Sequence, residues 1–125
     1  MTVVECSKLV LQRSEECVRH ARRAVAEACR GMARDLVEIA QLLTSELVTN
    51  ALQHGVGAIS VEVTRSPRTL RVSVDDESDN QPRHTAAGVE QIRGRGLMLV
   101  EALSSRWGVI SRDKGKRVWF ELRTA

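Results

Sequence analysis

The residues best able to do chemistry lie in three short stretches. Glu46, Asn50 and His54 are spaced i, i+4 and i+8, which puts them on one face of a helix. A carboxylate one turn from a carboxamide can orient a water or help to bind hydrated Mg²⁺. That cation keeps several waters and needs only one or two protein ligands when phosphates supply the rest. Taken alone, the same residues also suit the polar border of an apolar helix stripe, and a His at a helix end commonly serves the dipole. The second stretch is Val72-Ser73-Val74-Asp75-Asp76-Glu77-Ser78. Strand alternation puts Asp76 on the side of Val72 and Val74. An inward carboxylate needs a hydrogen-bond donor, and an adenine exocyclic amine would serve. The alternative is a strand that ends at Asp75, with Asp76 in solvated loop. The third stretch is Gly94-Arg95-Gly96-Leu97. Glycines at a helix start let backbone N–H groups approach a phosphate, but they also suit a plain loop-to-helix junction. A dinucleotide fingerprint would need a strand just before it, and a polar loop precedes it instead.

The elements that must hold these residues follow from periodicity. Residues 3–11 read as a short strand. Ser14 caps a helix carrying Cys17, Ala21, Val25 and Ala28, which ends at Gly31. Asp35 caps a second helix with the stripe Leu36, Ile39, Ala40, Leu43, Leu47 and Ala51, closed at His54-Gly55. The period then changes to two. Ile59, Val61 and Val63 pair as a hairpin with Leu70, Val72 and Val74 across a Ser-Pro-Arg-Thr turn. A polar loop covers 75–88, a helix opens at Gly94-Arg95-Gly96, and a last hairpin runs from Trp107 to Leu122 around Asp113-Lys114-Gly115-Lys116. This order predicts an α+β two-layer sandwich: a mostly antiparallel, mixed sheet with helices on one face.

Composition narrows the classes. The 125 residues suit a single domain, 1–125, with 42% hydrophobic and 28% charged residues. Aromatics make up 2% and fall in the last fifth of the chain, so stacking platforms for single-stranded nucleic acid are missing. A net charge of +3 suits phosphate or an acidic partner without selecting either. Arginines 13, 19, 22, 23 and 30 read as a solvated helix face rather than a nucleic-acid patch. Cys6, Cys17 and Cys29 are odd in number and widely spaced, which argues against a disulfide framework or a zinc site. No apolar run reaches membrane-spanning length and the N-terminus lacks signal-peptide character, so the expected location is cytoplasmic.

In this order, on these elements, the three stretches resemble a known family. Glu46-Leu-Val-Thr-Asn50-Ala-Leu-Gln-His54-Gly55 resembles the N box of the GHKL ATPases, the group of gyrase B, MutL and the histidine kinases. Asp76-Glu77-Ser78 is similar to its G1 box, and Gly94-Arg95-Gly96-Leu97 to its G2 box. Gly96 to Val109 and Gly115 to Leu122 resemble the compact anti-sigma-factor serine kinases, and the likeness runs from about residue 10 to the C-terminus. The resemblance implies the Bergerat ATP-binding fold. It also implies that Asn50 ligates a Mg²⁺ bridging the ATP phosphates, that Glu46 is the general base, and that Asp76 accepts the adenine amino group beside Ser78. Gly94, Gly96 and Leu97 would line the phosphates, with Arg93 at the edge of a short lid and His54 closing the helix end. The implied partners are a sigma factor or its anti-sigma-factor antagonist, phosphorylated on Ser or Thr. A non-catalytic interaction module of the same fold is the rival reading. Relatives are often dimers, with the N-terminal strand as the natural interface. The chain departs from the family at both G1 glycines, replaced by Ser78 and Asn80, and at Arg117, where relatives often carry Thr.

Overall fold

The stretches of period two and period 3.6 become sheet and helix. The computed structural model describes residues 5–78 and 97–124. In chain order its elements are β1 (Glu5–Leu11), α1 (Cys17–Ala28), α2 (Arg34–His54), β2 (Ile59–Arg65), β3 (Thr69–Asp76), α3 (Met98–Leu103), β4 (Arg106–Arg112) and β5 (Gly115–Arg123). The strands form one sheet of order β1-β2-β3-β5-β4, and every described pairing is antiparallel. The α+β architecture matches expectation, with an antiparallel sheet rather than a mixed one. Among the described residues, no helix is long and apolar enough to cross a membrane.

Alternation decides which sheet face is buried. Ile59, Val61 and Val63 of β2, Leu70, Val72 and Val74 of β3, and Val118, Phe120 and Leu122 of β5 point one way and are buried. They meet Cys17, Ala21 and Val25 of α1 and Ala40, Leu43, Leu47 and Ala51 of α2 in one core cluster. Burying each large apolar side chain contributes about 1.5–3 kcal/mol. The opposite face carries Glu62, Arg71, Asp75, Arg117, Trp119 and Glu121, which are half-buried and whose charges pair across strands. Arg117 donates to Asp75 at 2.7 and 2.9 Å, Arg71 donates to Glu121 at 3.2 and 3.1 Å, and the Arg71 guanidinium lies 4.1 Å from the centroid of Trp119.

The helix boundaries show how the caps resolve. Ser14 does not cap α1 directly. The helix begins at Cys17, and Ser14 instead accepts the Glu16 and Cys17 N–H groups at 3.3 and 3.2 Å. α2 begins at Arg34, so Asp35 lies in its first turn, where a carboxylate complements the dipole. Its far end stops at His54, and the Gly55 N–H donates to Ala51 O at 3.0 Å. Cys17 and Cys29 are buried, as small hydrophobes should be, and burial raises both thiol pKa values. Cys6 is exposed on β1.

Candidate functional site

The last turns of α2 lie over the ends of β3 and β5 and enclose a small cavity. Leu47, Asn50 and His54 line it from the helix, and Asp76, Lys116 and Val118 from the sheet. Helical spacing brings Asn50 there: Leu47 and Ala51 anchor its face of α2 in the core, and Asn50 rides between them. Its residue is 8% exposed, yet neither carboxamide Oδ1 nor Nδ2 finds a hydrogen-bond partner among the described residues. Leaving such a group unsatisfied costs about 1–3 kcal/mol. In a native chain such a group calls for a partner beyond these residues, such as water, an ion or a ligand.

Asp76 is the second polar group in the cavity wall. β3 continues through Asp76, so alternation carries its carboxylate inward with Val72 and Val74. The loop alternative, with Asp76 solvated, does not occur: the residue is 6% exposed. Its Oδ1 accepts the Ser78 N–H at 2.7 Å, an i to i+2 bond typical of Asp at a chain turn. Its Oδ2 faces the Lys116 ammonium at 3.9 Å. Burial raises the Asp76 pKa above the usual carboxylate range. The Ser78 N–H, Lys116 and Arg13 pull it back down, and Asp75 adds to the rise.

Two glycines let the backbone close on this carboxylate. A Cβ on Gly55 would stand 2.6 Å from Asp76 Cγ and 2.7 Å from Ala51 O. At Gly115, φ 138°, the Asp76 carbonyl stands where a Cβ would go, so a side chain there meets both strain and backbone. Arg13, in the connection before α1, fastens the end of α2 by donating to Gly57 O at 2.7 Å, Ala51 O at 3.0 Å and Leu52 O at 3.2 Å.

Of the residues singled out in sequence, Asn50, His54 and Asp76 share the cavity, and Ser78 is buried and bonded to Asp76. Ser78 stands where the family carries Gly. No described non-glycine residue has positive φ, so the Ser78 backbone adopts a conformation open to any residue. Glu46 is half-buried one turn before Asn50 on α2 and does not line the cavity. Leu97 precedes α3 with its side chain in the core. Arg93, Gly94 and Gly96 lie outside the described residues. Arg117 does not approach Asp76. It faces the other side of the sheet, and Lys116 holds the inward position. Sequence reasoning passed over Lys116 and Arg13. For Lys116 the signal was present, since it shares parity with Val118 and Phe120.

Among the described residues no group of three or more His, Cys, Asp or Glu could hold a metal alone. Asn50 fits Mg²⁺ only as one oxygen ligand beside phosphates. Its unsatisfied buried carboxamide is consistent with that use.

The geometry defines a helix over an antiparallel sheet, with a carboxamide on the helix and a carboxylate at a central strand end. The chain matches the histidine kinase-like ATPase domain family over residues 11–122, and it belongs to that family. No curated protein sequence matches it. Among solved structures, it is similar to the RsbU and RsbW domains of Rv1364c from Mycobacterium tuberculosis, with a TM-score of 0.74 and 21% identity. That match covers 95% of this chain and 32% of the other. It is also similar to the histidine kinase domain of the Erythrobacter litoralis EL346 blue-light activated histidine kinase. There the TM-score is 0.51, the identity is 20%, and coverage is 91% of this chain and 65% of that one. The chain therefore spans about a third and just under two thirds of these two proteins, which share its fold.

Proposed function

We propose that this chain binds Mg·ATP in the cavity between α2, β3 and β5, and acts as an anti-sigma factor with serine/threonine kinase activity on an antagonist protein. One observation carries the reading: the Asn50 carboxamide, buried and unsatisfied, shares a cavity with the buried Asp76 carboxylate. The carboxylate offers an acceptor for a base amino group. The carboxamide sits four residues from Glu46 on the same helix. Mg²⁺, when bound through Asn50 and the phosphates, supplies charge neutralisation. Glu46 takes the proton of the partner's Ser or Thr hydroxyl. That oxygen bonds to the γ-phosphorus as the bond to the bridging β–γ oxygen breaks, and ADP leaves. Arg93, Gly94, Gly96 and the Leu97 main chain would line the phosphates, and His54 would close the base end.

The sigma-factor or antagonist partner is supported by the resemblance of residues 96–109 and 115–122 to anti-sigma kinases and by the fold shared with an RsbW-containing structure. Phosphate on the antagonist would oppose docking through added charge. We take the protein to act in the cytoplasm and to pair as a dimer along β1. A second reading, a regulator that works by protein contact alone, is favoured by one observation: Lys116 already stands against Asp76.

Calorimetric titration with a non-hydrolysable ATP analogue, with and without Mg²⁺, tests the reading. Mg²⁺-dependent binding abolished by Asn50→Ala and by Asp76→Ala is expected. Binding indifferent to both substitutions would move the site elsewhere, and no binding up to millimolar analogue would leave the contact-only regulator.

A further inference from the structure

The cavity beside Asn50 is already partly filled from within. β5 runs from Gly115 to Arg123, and its inward residues are Lys116, Val118, Phe120 and Leu122. Lys116 is the Cα partner of Asp76 across the β3–β5 ladder, so the two side chains leave the sheet together on its covered face. Lysine is almost never fully buried unless paired. Here the residue is 6% exposed, and its ammonium lies 3.9 Å from Asp76 Oδ2. Asp76 Oδ1 accepts the Ser78 N–H, while Oδ2 is the oxygen that faces Lys116. With Lys116 in place the cavity keeps about 10 Å³ of open space, about the threshold for a single water. Pockets that hold drug-sized ligands run to about 300–1,000 Å³.

An ammonium and a purine amino group present the same chemistry to a carboxylate: an N–H donor on a nitrogen. We propose that Lys116 is an internal stand-in for the base amino group, filling the base pocket of the free protein, holding Asp76 Oδ2, and giving up that place when a purine nucleotide binds. This rests on the nucleotide-binding reading above and adds a residue that sets its affinity. The apparent dissociation constant is the intrinsic one divided by the fraction of molecules in which Lys116 is not seated. A protein built this way responds to nucleotide only at high concentration, or when something else draws the lysine out.

The opposite arrangement, in which Lys116 stays and donates to a ring nitrogen of the base, predicts the opposite sign. Lys116→Thr empties the space, and Lys116→Met keeps most of the volume without the charge. Each folded variant is titrated calorimetrically with adenosine, which reads the base pocket without phosphate charge, and with the non-hydrolysable ATP analogue plus Mg²⁺. Circular dichroism verifies the fold. The Thr variant is expected to bind adenosine at least about tenfold tighter than the unaltered chain, and the Met variant several-fold tighter, which carries the test if the Thr variant fails to fold. Equal or weaker adenosine binding in a folded variant, beside measurable binding of the analogue by the unaltered chain, overturns the proposal and leaves the nucleotide reading standing. No binding of either ligand by any of the three proteins overturns both.

Discussion

Gly55→Ala separates steric contact from backbone strain. Gly55 has φ −96° and ψ −179°, extended backbone that alanine adopts freely. The cost therefore comes from what the new methyl would meet: Asp76 Cγ at 2.6 Å and Ala51 O at 2.7 Å. Neither can yield cheaply. Ala51 O is held by the Gly55 N–H and by Arg13. The Asp76 carboxylate is pinned by Ser78 at 2.7 Å and buried against Lys116. Overpacking of this kind costs about 1–3 kcal/mol. Displacing the carboxylate adds the loss of a hydrogen bond to a charged group, about 1.5–3 kcal/mol. The sum is roughly 2.5–6 kcal/mol, which with a urea slope of about 1–3 kcal/mol per molar lowers the midpoint by about 1–6 M. Gly31→Ala is the control. Gly31 has φ 87° but nothing within 4 Å of its added Cβ, so only left-handed strain of about 1–2 kcal/mol applies. Urea unfolding followed by circular dichroism ranks the two. A Gly55→Ala loss below that of Gly31→Ala would refute the claim that Asp76 is fixed against the end of α2.

Asn50→Ala removes a buried carboxamide that nothing in the described structure satisfies. The free protein should keep its stability or gain about 1 kcal/mol, while analogue binding is lost; thermal unfolding and calorimetry on one preparation read both. Because burial raises the Asp76 pKa, analogue affinity should fall as pH drops through that raised value, at higher pH than an exposed Asp would give, and calorimetry across the same pH series should show no such fall for Asp76→Asn. The stability sign is the reverse: protonation of Asp76 favours the folded state, so this group's contribution is present below its unfolded pKa and is lost as pH rises through the raised folded one. Arg13→Ala removes three carbonyl contacts that are partly solvated, and urea unfolding should show a loss of about 1–2 kcal/mol.

Much of this was legible from periodicity. The i, i+4, i+8 spacing put Asn50 and His54 on one helix face, and both line the cavity. Alternation in β3 carried Asp76 inward with Val74. What failed in the sequence reading was parity in β5. Lys116 was assigned to a turn, although the strand begins at Gly115, and counting back from Phe120 and Val118 reaches Lys116 on the core side. Arg117, noted only as a departure from the family, has the opposite parity and pairs with Asp75 on the other face. The caps moved by a residue or more because Ser14 and Asp35 serve their helix starts from neighbouring positions. Arg13 was read as part of a solvated face. Its role depends on where the end of α2 comes to rest, and no local pattern encodes that.

The Arg13 contacts also constrain the order of assembly. They join residues 38, 39 and 44 positions apart, so the carbonyls at the end of α2 gain these donors only through a long-range contact. The connection that carries Arg13 follows β1, whose register on β2 sets Leu11 opposite Ile59. Contacts of such separation form only after loop-closure entropy has been overcome. The half of α2 that carries Leu43 and Leu47 can gain structure early. The turn that carries His54 is completed only with the sheet, and amide exchange along this one helix should record the difference.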